Sequence, residues 1–434
     1  MKKFATSLLF LTLGVAGPAF AQLRLTITQG VTDPIPIAVV PFGRAVPADG
    51  AVDVAAIVQR DLESSGRFKG MPRTDMLTTP TSAGEVDVAG FKQQRNDYVV
   101  VGRLTALANG DITVSAELVN VLTGMSLPMK GQTVTVKPAN LRNAAHRIAD
   151  AVYEKIIGVR GAFATRIAYV SVDGKPPNQK YQLIVADADG ENAQAILSRD
   201  RPLMSPAWSP DGSMLAYVSF ESRVSAVYVQ NIRTTQRSRV SARAGINGAP
   251  TWSPDGKKLA LTLSGSNGNL DIYLLDLGTQ QLQRLTDDPG IDTEANFSPD
   301  GGSIFFTSDR PGSPQVYRLA LSGNERPKRV TFTGTYNARP RVSPDGKQLA
   351  VLTLDNGAYR IGLQDLANGT MTVLSKGRQD ESPSFAPNGA MVILAGRERG
   401  QGILQTVSID GQTSLKLNAD AGEVREPVWG PYLK

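Results

Sequence analysis

Pro250-Thr251-Trp252-Ser253-Pro254-Asp255-Gly256 decides the fold of this chain, because the phrase returns at a fixed interval. The first copy is Pro206-Ala207-Trp208-Ser209-Pro210-Asp211-Gly212. Shorter copies follow at Phe297-Ser298-Pro299-Asp300-Gly301, Val342-Ser343-Pro344-Asp345-Gly346, Phe385-Ala386-Pro387-Asn388-Gly389 and Trp429-Gly430-Pro431. Measured at the aromatic or apolar position, the steps are 44, 45, 45, 43 and 44 residues, and all three tryptophans occupy that slot. A repeat in the mid-forties with strand-like intervals is the mark of a β-propeller with one blade per repeat.

Each period has room for four strands. After the strand of Trp252, residues Lys258 to Leu263, Asp271 to Leu277 and Gln281 to Thr286 read as strands. The Ser-Pro-Asp-Gly link between the first two is a tight turn: proline presets φ, aspartate bonds back to the backbone, and glycine accepts positive φ. Turn chemistry therefore explains the repeated Asp and Asn residues better than a carboxylate ring does. Ahead of the first copy lie three unpartnered strands, Ile167 to Val172, Gln182 to Asp187 and Gln194 to Ser198. After the last set one strand is left over, Pro427-Val428-Trp429. Pairing that strand with the first three gives an all-β six-bladed propeller over residues 164–434, closed by the C-terminus with no open edge.

Residues 22–163 read as an α/β domain. Ile37 to Val40 is a continuous apolar run that suits a buried strand. Val54, Ile57, Val58 and Leu62 recur at helical spacing, and Tyr98 to Leu107 and Ile112 to Val121 flank the hairpin signal Asn109-Gly110. A last helix carries Leu141, Ala145, Ile148, Val152 and Ile156 and stops at Gly158. Before all this, Met1-Lys2-Lys3, an apolar stretch from Phe4 to Gly17 and Ala19-Phe20-Ala21 read as a secretory signal over residues 1–21, cleaved before Gln22. A periplasmic location without direct membrane insertion follows as the expectation.

Composition narrows the chemistry. Of 46 basic residues, Lys2 and Lys3 leave with the signal, so 44 face 40 acids, and no run of Lys or Arg concentrates the excess. Nucleic acid is not an expected partner. There is no cysteine, and His146 is the only histidine, which excludes thiol nucleophiles and imidazole-rich metal sites. His146 lies one step off its helix's apolar stripe and is expected to be a partly buried or surface residue. Asp187-Ala188-Asp189-Gly190 resembles the start of a calcium loop but lacks the later ligands, so it reads as a turn. No G-x-S-x-G elbow accompanies the propeller. No catalytic residue, metal or cofactor is expected. A periplasmic propeller hydrolase, a ligand-binding lectin and a structural propeller with unrelated partners stand as alternatives.

Strand alternation sorts the loops onto two faces. One carries the Ser-Pro-Asp-Gly turns. The other carries the loops entering each Trp strand, including Gly245 to Ala249, Gly290 to Glu294 and Thr335 to Arg339, and these ring the mouth of the central channel. The entering loops vary while the turns are uniform, which marks the mouth as the binding face.

With these residues in view, the chain resembles the TolB family, the periplasmic propeller component of the Tol-Pal system. The resemblance spans the mature sequence and rests on Leu23 to Gly30, Val39-Val40-Pro41-Phe42, the six repeats and the tail Trp429-Gly430-Pro431-Tyr432-Leu433. It implies a non-enzymatic adaptor, expected to be a monomer, that serves outer-membrane integrity and envelope constriction at division. Its propeller mouth would bind the lipoprotein Pal through Ile246, Asn247, Gly248, Ala249, Asp292, Thr293, Glu294, Asn337 and Arg339. Its N-terminal segment would bind TolA through Gln22, Leu23, Arg24, Leu25, Thr26, Ile27, Thr28, Gln29, Gly30 and Val31. That segment alternates in a way that suits strand addition. Its apolar Leu23, Leu25 and Ile27 and the breaker Asp33-Pro34 also suit docking on its own domains in one state and release in another.

Overall fold

The computed structural model describes residues 33–45, 52–265, 267–323, 325–417 and 422–433. The expected signal and the TolA-directed segment Gln22 to Val31 lie outside the described residues.

The N-terminal domain is built on the strand Ile35–Val39, which pairs in parallel with Phe68–Gly70 on one side and Tyr98–Ala106 on the other. Tyr98–Ala106 then runs antiparallel to Ile112–Asn120 across the Asn109-Gly110 turn. Parallel neighbours need crossovers, and α1 (Val54–Ser64) provides the first. Asp53 caps α1 by accepting from Ala56 N at 3.0 Å, and Val54, Ile57, Val58 and Leu62 bury its inner face. The short helix α2 (Val88–Gln93), which the sequence reading missed, buries Phe91 under the opposite face of the sheet. The long helix α3 (Leu141–Ile157) packs beside α1 in the same core, and Gly158, at φ 89°, ends it.

Arg166–Asp173 opens the propeller. It pairs with Lys180–Asp187, which pairs with Gln194–Arg199, while Glu423–Trp429 pairs along its other edge with Trp429 opposite Ile167. These four strands are blade one. Blades two to six are consecutive four-stranded meanders whose inner strands are Leu203–Trp208, Asn247–Trp252, Asp292–Phe297, Asn337–Val342 and Glu381–Phe385. The chain's ends therefore close the ring. The outer strand of blade three, Leu282–Arg284, is shorter than the expected Gln281 to Thr286, whereas that of blade one, Gln194–Arg199, is one residue longer than expected.

The repeated phrase does two structural jobs. Its aspartates hold the turn: Asp255 accepts from Ser253 Oγ at 2.5 Å and from Lys257 N at 3.0 Å, with Gly256 at φ 71°. Its tryptophans tie neighbouring blades, Trp252 Nε1 donating to Ala207 O at 3.1 Å and Trp208 Nε1 to Val428 O at 3.3 Å. Trp429, half-buried rather than fully enclosed, instead donates to Thr165 Oγ1 at 2.9 Å at the domain junction.

The N-terminal domain sits on the turn face. Asn388, in blade six's copy of the turn, donates to Arg160 O, and α3 meets the turn after Lys180–Asp187. Gly66, at φ 69°, approaches Thr413 so closely that a Cβ there would meet its Oγ1 at 2.0 Å. The mouth face remains open.

Deleting residues 427–434 removes three of the seven residues of blade one's inner strand and the bonds of Trp429 to Thr165 and to Ser384 Oγ. The expected loss is about 4 kcal/mol or more, lowering the propeller's thermal midpoint by about 10 °C. Unchanged calorimetric unfolding of the truncated protein would sink this account of closure.

Candidate functional site

Every inner strand breaks register at the same point. The breaks fall between Met204 and Ala207, Gly248 and Thr251, Thr293 and Asn296, Ala338 and Arg341, Glu381 and Ser384, and Arg425 and Val428. At each, one non-glycine residue adopts positive φ: Ser205 at 52°, Ala249 at 43°, Glu294 at 57°, Arg339 at 53°, Ser382 at 55° and Glu426 at 51°. In five of the six the next residue is proline. Proline has no N–H to leave unpaired, so it fits a bulge. The bulge re-aims its residue toward the channel, where all six line one small cavity of about 40 Å³.

Charge organises that ring. Arg339 Nε donates to Glu294 Oε1 at 2.8 Å, and its guanidinium reaches Glu381 at 3.7 Å and Glu426 at 4.0 Å. Ser382 Oγ accepts from the same guanidinium, and Glu426 accepts from Ser205 N. Desolvation raises Glu426 above the usual carboxylate range, although Arg339 opposes the shift. Arg341 lies two residues deeper, where burial works against its charge and Glu294 supports it.

The residues expected to touch a partner divide into two groups. Asn247, Asp292 and Asn337 are wholly buried, and each bonds a neighbour inside the chain, although Asn337 Oδ1 has no hydrogen-bond partner. Asn247 Oδ1 accepts from Ser241 Oγ at 2.6 Å, Asp292 takes Arg310 at 2.8 Å, and Asn337 Nδ2 donates to Gln315 Oε1 at 3.0 Å. Each opens its inner strand and anchors the loop before it; Asp380, binding Gly377 N at 2.9 Å, does the same in blade six. In this structure they lie beneath the mouth's surface and support it. Ile246, Gly248, Ala249, Thr293, Glu294 and Arg339 are at least partly open at the mouth.

Sequence reading missed most of the apolar surface there. Ile246 is 49% exposed, Ile291 43% and Phe332 72%, all on entering loops. Met204, Val224 and Tyr359 join them on the same face. Ile246, Val224, Ile291 and Phe332 lie in loops and Met204 and Tyr359 near the mouth ends of strands, so no periodicity announces the group. Exposed apolar side chains gathered on one face of a propeller are a feature of protein-docking surfaces.

Comparison with known proteins agrees with this architecture. A family model described as the TolB beta propeller domain matches residues 153–433, and one described as the TolB amino-terminal domain matches residues 23–127. The Tol-Pal system protein TolB of Alcanivorax borkumensis is 51% identical over 416 residues, covering 96% of this chain and 94% of the relative. The chain belongs to the TolB family. The same-named protein of Xanthomonas oryzae pv. oryzae is 47% identical over 417 residues, covering 94% and 93%. The crystal structure of TolB from Acinetobacter baumannii superposes with a TM-score of 0.85 at 40% identity, covering 93% of this chain and 98% of that one. These relatives carry the name of a system component rather than of an enzyme, though a propeller by itself does not exclude hydrolases.

The junction between the two TolB domains holds the charged cluster that sequence placed least well. His146 is buried, 2% exposed, not partly open as expected, because α1 packs over it and supplies Asp61. Its Nδ1 lies 2.7 Å from Asp61 Oδ2, and its Nε2, without a hydrogen-bond partner, is 3.9 Å from Asp187 Oδ2 across the junction. Arg142 of α3 bonds Asp187 and Asp189 in the turn that resembled a calcium loop. Asp61, His146 and Asp189 offer ligand atoms within 4.8 Å of one another, but Arg142 already occupies Asp189. The cluster is an ion-pair latch between domains. A groove of about 360 Å³, lined by Tyr153, Phe163, Leu417 and Trp429, runs beside it.

Burial opposes the charge on His146, but Asp61, Asp189 and Asp187 outweigh it and raise its pKa above 6.5. Burial raises Asp61 as well, so the pair holds a proton more tightly folded than unfolded. A raised pKa contributes stability that is fully present below the unfolded value and is lost as pH rises through the folded one. Unfolding midpoints should therefore fall as pH climbs from the ordinary histidine value of 6.5 through the raised one. His146→Gln, which keeps a side chain able to bond Asp61 but takes no proton, should flatten that slope. A native protein with no such slope contradicts the latch.

Proposed function

We propose that this TolB-family chain is a non-enzymatic adaptor of the Tol-Pal system, working in the periplasm. It binds Pal on the propeller mouth and TolA through residues 22–31, and so serves outer-membrane integrity and envelope constriction at division. The observation that carries the reading is the asymmetry of the propeller. Its turn face is taken by the chain's own N-terminal domain, whereas its mouth face is open, apolar at the loop tips and charged at the centre. Among the six at least partly open positions of the expected Pal surface, Ile246 and Thr293 flank the channel lip from adjacent blades.

The N-terminal segment is the second half of the proposal. Its apolar face is of the kind that the groove between the domains can cover, and the same face suits strand addition to TolA. If Pal favours one of these two states, linkage requires Pal and TolA to alter each other's affinity by the same factor.

Calorimetry of the mature protein with purified Pal tests the surface. Ile246→Asp and Thr293→Arg should each weaken binding at least about tenfold, or about 1.4 kcal/mol, by stranding a charge in the contact. Lys257→Asp, on the turn face, should leave it unchanged. Equal losses on both faces, or none on either, would remove Pal from the mouth.

The same measurement on protein lacking residues 22–31 tests the linkage. TolA capture should disappear and Pal affinity should change. An unaltered Pal affinity reduces the segment to a passive tether.

A further inference from the structure

A six-bladed ring is close to rotationally symmetric, and apolar contacts around its mouth do not by themselves fix how a partner is turned. The charges on this mouth are far from symmetric. Between Arg199 and Arg243 the chain carries seven arginines and no lysine. Arg233 lies in a turn on the opposite face, Arg199 ends the outer strand of blade one, and the other five belong to mouth-side loops or the outer strand of blade two. Glu221 gathers them: it bonds Arg199 Nε at 2.8 Å and Arg237 Nη1 at 2.9 Å. Burial works against its charge, but those arginines and Tyr228 prevail and hold its carboxyl down to about 2. Arg201, Arg223, Arg239 and Arg243 sit within a few residues of this node. All four are exposed, and among the described residues none has an acidic partner.

Two blades further round, the sign reverses. The loop entering blade four and its next mouth-side loop carry Asp287, Asp288, Asp292 and Asp309, with Glu294 at the bulge. Arg284 and Arg310 are the cations set against them, Arg284 at 2.7 Å from Asp287 and Arg310 at 2.8 Å from Asp292. The side chain of Asp287 is nonetheless 82% exposed. One mouth thus holds a sector of unpaired guanidinium groups and, a third of the way round the ring, a sector rich in carboxylates.

We propose that these two sectors fix the rotational register of the protein that docks on the mouth, blade two taking an acidic patch of the partner and blade four a basic one. The inference rests on the mouth-docking reading above and adds to it the chemistry of the partner's face. Arginine suits the first role because its planar fork meets a carboxylate in two parallel hydrogen bonds, which orients as well as attracts. Separated charges of opposite sign also steer the encounter before contact, and that contribution appears mainly in the association rate.

The test uses the mature protein and purified Pal. Reversing three exposed arginines together (Arg201→Glu, Arg223→Glu and Arg243→Glu) should slow association about tenfold or more at low salt, with a smaller change in dissociation. The difference should largely vanish at high salt, where screening is complete within a few ångströms. Arg233→Glu, Lys257→Glu and Lys347→Glu together, all exposed on the turn face, make the same change in net charge and should change the rate little. Photo-crosslinkers placed at Val224 beside blade two and at Ile291 beside blade four should capture two different Pal peptides, the first acidic and the second basic. Equal slowing by the two sets of reversals, or one shared mixture of peptides at both positions, overturns the register while leaving docking intact. Failure of the native protein to bind Pal overturns the docking reading and this inference with it.

Discussion

The propeller depends on one antiparallel pairing, Glu423–Trp429 against Arg166–Asp173. Five blades are continuous meanders that need only local turns, but blade one borrows its inner strand from the opposite end of the propeller sequence. Such a contact carries a high loop-closure cost in the unfolded chain, although that cost grows only with the logarithm of length. The return is that no blade presents an open inner edge, and the channel can be lined all the way round. The same pairing places Trp429 and Tyr432 under the N-terminal domain, so closing the ring and seating that domain are one event.

Seating the domain there covers the turn face and, among the described residues, leaves the mouth face open. The turn face can be uniform because it is a docking platform for the chain itself, stiffened by Asp and Gly in repeated turns. The mouth face has no such duty. Its entering loops are pinned from below by buried Asn247, Asp292, Asn337 and Asp380, which leaves their tips free to carry Ile246, Ile291 or Phe332 without loss of fold. This separation explains why three residues that looked like contacts from sequence are anchors instead. A polar residue at the root of a functional loop shares the loop's neighbourhood but not its exposure.

Sequence made the fold legible because its signal is periodic and local. Proline, aspartate and glycine in a tight turn obey backbone geometry whatever surrounds them, so the repeat, the blade number and the spare strand could be counted. Helix α1 was equally plain, since Val54, Ile57, Val58 and Leu62 follow one face. What escaped was set by tertiary contact. His146 reads as marginal on its own helix, and only α1 arriving with Asp61 makes it a buried ion-pair member. The arginines of blade two form no run along the chain. They converge because an entering loop, a mouth-side loop and an outer strand meet at Glu221.

The six bulges show how a repeat can carry function without losing regularity. Every inner strand must place one residue at positive φ, a conformation that costs a non-glycine residue about 1–2 kcal/mol. Glycine or asparagine would relieve most of that cost, yet the ring holds Ser205, Ala249, Glu294, Arg339, Ser382 and Glu426. The backbone requirement is identical in all six, so differences between their side chains are not demanded by the fold. The strain is tolerated because paired residues on both sides of each bulge, and proline after five of the six, over-determine the conformation. Side chains kept at a strained position that the fold would fill more cheaply with glycine point to a role at the channel. Glu294, Glu381 and Glu426 gather on Arg339, with Arg341 set deeper against Glu294, so the channel's centre holds three carboxylates and two guanidinium groups.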